Sequence, residues 1–199
     1  WNYEVEAVLQ EGESGGTVGG VARSDLDHSA SLLHFEIGYQ FDAPGQPNLM
    51  FQYDRATGDE DPTDAKIDRF NTLFGARRFD FGPTGIYGIV ARSNIDSPGV
   101  RLTFRPGAKW QAMLSYRALR LEAPRDGWLG SGWRDTTGAA GHSIGDHLEG
   151  QFTWTAIPDR LSFETGFAHL WAGRFAEQTA GAAFRGVPQY YYVALTTTF

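Results

Sequence analysis

Apolar and polar residues alternate one for one along most of this chain, and the last stretch shows it most cleanly. In residues 189–199, Tyr191, Val193, Leu195, Thr197 and Phe199 fall on one face and Tyr190, Tyr192, Ala194, Thr196 and Thr198 on the other. Alternation over about ten residues is the length that a tilted strand needs to cross a bilayer. The final residue is the aromatic Phe199. The last strand of an outer-membrane barrel commonly ends this way, on a residue that the barrel-assembly machinery reads.

The same period predicts strands at 1–11, 29–42, 48–57, about 97–105, 109–121, 144–156 and 161–171. The second sets Leu33, Phe35, Ile37, Tyr39 and Phe41 against His34, Glu36, Gly38, Gln40 and Asp42. The strand at 97–105 sets Val100, Leu102 and Phe104 against Arg101, Thr103 and Arg105, and the next sets Trp110, Ala112, Leu114 and Tyr116 against Gln111, Met113, Ser115 and Arg117.

The connections alternate in length. They are long at 12–28, 58–96, 122–142 and 172–188, and short at 43–47, 106–108 and 157–160. A membrane barrel has this asymmetry because tight turns close one end and extended loops the other. Phe41, Phe104, Trp110, Trp154 and Phe199 all lie on the apolar face beside the short turns, where aromatic rings form a girdle at the headgroups. The fold expected is all-β: an antiparallel transmembrane β-barrel with about eight strands in residues 1–199, belonging to a larger barrel.

Composition narrows the rest. Twenty-five glycines in 199 residues and 14% aromatics suit strands joined by turns. A net charge of −7 argues against nucleic acid as a partner. There is no cysteine, hence no disulfide framework and no cysteine-based metal site. Segment 58–96 reads as a single long connection, with a short helix expected at 64–74 that places Ile67, Phe70 and Leu73 three apart. A connection of this length with apolar content is expected to be a lid, with Phe70, Leu73 and Phe74 sheltered. Alternatively, 85–105 is one long strand protruding above the membrane.

One region resembles a known family. Gln52-Tyr53-Asp54-Arg55-Ala56-Thr57-Gly58-Asp59-Glu60-Asp61-Pro62-Thr63-Asp64, Phe70-Asn71-Thr72-Leu73-Phe74, Gly85-Ile86-Tyr87-Gly88 and Ser93-Asn94-Ile95 are similar to the alginate export family of outer-membrane porins. The chain departs from the family's pattern at Ala76-Arg77-Arg78-Phe79. The resemblance implies a large barrel in the outer membrane of a Gram-negative bacterium, passing an anionic polysaccharide such as alginate, with this chain as its C-terminal portion.

For a polyanion, fixed cations are the informative groups, and the planar fork of Arg suits carboxylates. Arg101, Arg105 and Arg117 are expected to face the lumen on adjacent strands, with His34 and His147 as weaker candidates. Glu4, Glu6, Glu36, Asp54, Glu149 and Glu164 share that face. The acidic run Asp59–Asp64 lacks the spacing of a calcium loop and reads as solvated. Asp27-His28 and Asp146-His147 invite a hydrolase reading, but neighbours on a strand point to opposite faces. No catalytic residue, metal or cofactor is expected. The competing readings are an outer-membrane enzyme with catalytic groups on its loops, and a small eight-stranded barrel acting as an anchor or adhesin.

Overall fold

The computed structural model describes residues 1–18, 21–73, 81, 90–129, 131–179 and 189–199. Its strands are β1 (Asn2–Val18), β2 (Val21–Gln40), β3 (Asn48–Ala56), β4 (Lys66–Ile67), β5 (Ile95–Gly107), β6 (Trp110–Arg120), β7 (Gly127–Trp128), β8 (Trp133–Arg134), β9 (Ser143–Ile157), β10 (Leu161–Ala172) and β11 (Gln189–Thr197), with one helix, α1 (Arg174–Thr179). The long strands pair antiparallel with their neighbours in the order β1-β2-β3-β5-β6-β9-β10-β11. This is the all-β, antiparallel sheet that the alternation predicts. Among the described residues no pairing joins β1 to β11, and no helix is long and apolar enough to cross a membrane.

Burial along β3, β5, β6 and β9 is inverted relative to a water-soluble sheet. On β3, Leu49 is 49% exposed and Phe51 42%, whereas Gln52 and Asp54 are 1% exposed. On β6, Leu114 and Tyr116 are exposed while Ser115 and Arg117 are buried. Exposed apolar area on this scale marks a surface that water does not cover, and strands with every ladder bond made can lie in lipid. At the short-turn end the outward face carries Phe41, Phe104, Trp110 and Trp154, all exposed. Trp110 and Trp154 are register partners whose rings stack at 5.4 Å.

Toward the long-loop end the pattern turns over. On the inward face of the strands, Glu6 gives way to Val8, His34 to Leu32 and Ala30, Asp54 to Ala56, Ser97 to Ile95, and Arg117 to Leu119. Leu32, Ala56, Ile95 and Leu119 join Phe70, Phe81, Val90, Trp128, Ala140, Phe175 and Ala176, from the connections, in one hydrophobic core, and Val8 packs against it. The polar lining thus ends under an apolar cap.

Three expectations need correction. Residues 12–18 and 21–28, expected as part of a loop at 12–28, are strand: β1 and β2 continue to pair through partners such as Glu13↔Asp27 and Glu11↔Ser29, with a bulge between Ser14 and Gly16. Apart from Leu26, no described residue of this segment is buried, so alternation is not required there. The ladder propagates from the paired strands below, so Gly- and Ser-rich composition does not stop it. The helix expected at 64–74 is absent from 64–73. Lys66 and Ile67 pair in parallel with Asp27 and His28 of β2 instead, and the Asp64 carboxylate accepts from the Lys66 N–H at 2.8 Å. Side-chain competition of this kind diverts the backbone from helix. Residues 85–105 are not one strand either, because β5 begins only at Ile95 and residues 90–94 lie outside any strand. Connection 172–188 contains α1, whose Phe175 and Ala176 face the cap.

Candidate functional site

The inward polar layer is built around Asp54. β3 presents it inward, and its neighbours supply the counter-charges. His34 of β2 places Nδ1 2.7 Å from Oδ1. Arg92, just ahead of β5, donates from Nε to Oδ1 at 3.0 Å and from Nη1 to Glu6 of β1 at 3.2 Å. Arg117 of β6 reaches across β5 to donate from Nη2 to Oδ2 at 2.5 Å. Gly99, the register partner of Arg117, makes that reach possible: a Cβ there would stand 2.5 Å from Arg117 Cγ. Arg117 also donates to the Ser97 carbonyl at 3.2 Å and hydroxyl at 3.1 Å, and its guanidinium lies 5.1 Å from the Phe81 ring centroid. A buried charge pair holds together only where attraction and hydrogen bonds offset desolvation, and here both Asp54 oxygens accept, Oδ1 from Arg92 and Oδ2 from Arg117.

A second polar centre joins the connections above the wall. The buried Asp126 carboxylate accepts from Arg69 Nε at 2.5 Å, from Arg134 Nη2 at 2.6 Å and from the Asp59 N–H at 3.0 Å. Burial lowers the pKa of Arg69 below its ordinary value, and the neighbouring Arg134 charge adds to that. Burial chiefly raises the pKa of Asp59. Beside this centre lies a cleft of about 440 Å³ lined by Ser14, Leu26, Lys66, Arg69 and Arg134 among others. The outer carboxylates of the acidic run are engaged locally, as Asp61 Oδ1 accepts from the Thr63 N–H at 3.1 Å and hydroxyl at 2.6 Å.

Asn94 locks the two connections to the wall. Its amide donates to the carbonyls of Ala123 at 3.2 Å and Gly127 at 3.1 Å, and its Oδ1 accepts from the Ala123 N–H at 2.7 Å. Its own N–H donates to the Thr57 carbonyl at 3.2 Å. A Cβ at Gly58 would collide with the Asn94 side chain. Thr57, Gly58 and Asn94, separated along the chain, therefore meet in space.

Of the residues singled out from sequence, Arg105, Arg101 and Arg117 stand in that order from the short-turn end toward the cap, by the pairs Arg101↔Ser115 and Gly99↔Arg117. Arg117 is fully buried in its clamp. Arg101 is half-buried and Arg105 exposed, and among the described residues neither forms an ion pair. Arg105 lines a cleft of about 520 Å³ at the short-turn end together with Lys109. His147 is buried opposite Arg117 in the β6–β9 register. Phe70 is 6% exposed, but Leu73, expected under cover, is 63% exposed. Asn71 Oδ1 accepts from the Leu73 N–H at 2.9 Å, and Leu73 itself takes a positive φ of 47°. Phe74, like 76–79 and 85–88, lies outside the described residues. Sequence reasoning missed Arg92, Asn94 as a lock, Lys109 and Asp126. Asn94 alone carried a signal, being part of the family-like Ser93-Asn94-Ile95.

The profile of the alginate export family matches residues 1–188 of the chain. No curated protein matches it.

Proposed function

The chain belongs to the alginate export family, and from that premise we propose that it forms wall and cap of an outer-membrane channel that passes an anionic polysaccharide, with Phe199 exposed for the assembly machinery. The observation that carries the reading is the inverted burial: an apolar face open to lipid and a charged face turned inward. In this reading the eight long strands are one arc of a larger barrel, since both edges of the sheet are unpaired among the described residues. The path follows the inward cations that are not neutralised. Lys109 and Arg105 stand at the short-turn mouth and Arg101 one step in. Arg117 braces the wall, because its guanidinium is committed to Asp54 and Ser97. Weak repeated contacts favour passage, since one tight site would trap the polymer.

Conductance of the folded protein in planar bilayers tests this. Arg101→Gln with Arg105→Gln lowers anion preference and weakens block by a short uronic acid oligomer. Unchanged selectivity and block in the double variant would refute the path. A folded wild-type protein with no conductance would favour the anchor reading.

A further inference from the structure

We propose that Glu4, His34 and Glu36 form a binding site for one divalent transition-metal ion of the zinc class on the inward face of β1 and β2. Their ligating atoms lie within 4.8 Å of one another. Ligands held 2.0–2.1 Å from a tetrahedral ion are about 3.4 Å apart, so closure asks for a small inward swing. Glu4 is exposed and free to make it.

Each part of the arrangement points the same way. Glu4 and Glu36 are direct register partners, and like charges facing each other across a strand pair are destabilising unless a cation lies between them. Among the described residues no Lys or Arg pairs with either carboxylate; Arg92 takes Glu6 and Asp54 instead. His34 is only 4% exposed. Its Nδ1 is engaged by Asp54 at 2.7 Å, which leaves Nε2 facing Glu36 Oε1 at 3.7 Å. That separation is too long for a hydrogen bond and suits two ligands of a common ion. A carboxylate on the far ring nitrogen fixes the tautomer and raises the basicity of a metal-binding imidazole. Asp54 has that position here.

Glu36 is oriented in turn. Gln52, 1% exposed, donates its amide N–H to Glu36 Oε1, and its own Oε1 is buried without a hydrogen-bond partner. One imidazole with two carboxylates suits zinc and its neighbours, whereas calcium and magnesium take oxygen ligands alone. A bound ion would also cancel two inward negative charges. That consequence, unlike the binding itself, rests on the channel reading.

The test uses the whole barrel folded in detergent, stripped with a chelator and titrated calorimetrically with ZnCl₂. Co²⁺ serves as an optical probe of the ligand field. The expected result is one Zn²⁺ per chain and a visible cobalt band that His34→Gln abolishes. Loss of an outer-shell partner alone costs on the order of tenfold or more in metal affinity, and Glu4→Gln, which removes a ligand at an exposed position, weakens zinc binding at least that much. Heat-modifiable mobility on gels confirms that each variant is folded. Failure of the folded wild-type protein to take up zinc would overturn the proposal, as would unchanged binding in both variants. The readout is independent of conductance, so its failure leaves the channel reading standing.

Discussion

The wall below the level of Asp54 and the cap above it are made from the same strands by opposite rules. Leu32 and Leu33 are neighbours on β2, yet Leu32 is 5% exposed inside the cap and Leu33 is 41% exposed on the outer face. Below that level polar side chains point in and apolar ones out. Above it, the inward positions of β1, β2, β3, β5 and β6 become apolar within one two-residue step, at Val8, Leu32, Ala56, Ile95 and Leu119. The difference locates the edge of the lipid. A strand in hydrocarbon exposes apolar side chains because its solvent is apolar. A strand in water buries them, and here the space available for burial is the mouth of the barrel itself. Connections that would be mobile loops on an open pore therefore form a hydrophobic core.

If the two regions are distinct but joined at the polar layer, substitutions should separate them. The largest effect belongs to Asp54→Ala, which leaves the fully buried Arg117 without its counter-charge. Removing one partner of a buried ion pair costs about 3–5 kcal/mol. Urea unfolding in detergent should show the wall destabilised and the cap opened to protease together; a variant as stable as the wild type would mean that the layer does not join them. Phe175→Ala should act on the cap alone, because Phe175 is fully buried within that core. The expected cost is roughly 3 kcal/mol, read as faster proteolysis in 122–142 and 172–188 with the heat-modifiable barrel retained. Simultaneous loss of the barrel would break the distinction.

The wall was legible in the sequence because period-two alternation is a local property. Each strand reports its own faces, and the short-turn rhythm orders them. The cap was not, because its strand residues lie in the polar phase of the alternation. Val8 falls in phase with Asn2, Glu4 and Glu6, and only strand registers show that Leu32, Ala56 and Ile95 stand level with it. Phase likewise places Arg117 on the inward side but cannot name Asp54, two strands away, as its partner. Asp126 sits in a stretch rich in Gly and charge where nothing local sets it apart. The pairing of 12–18 with 21–28 was hidden for a different reason: a ladder propagated from below overrides composition.

The face reversal itself can be measured along β2. The chain has no cysteine, so single cysteines at successive positions from 29 to 41 can carry a nitroxide in reconstituted bilayers. Collisions with oxygen report lipid, and collisions with a nickel chelate report water. The account predicts oxygen-dominated accessibility at 33, 35, 37 and 39, and protection from both reagents at 30 and 32. Nickel-dominated accessibility at 33, 35 and 37, or a water-accessible phase running unbroken through 32 and 30, would contradict it.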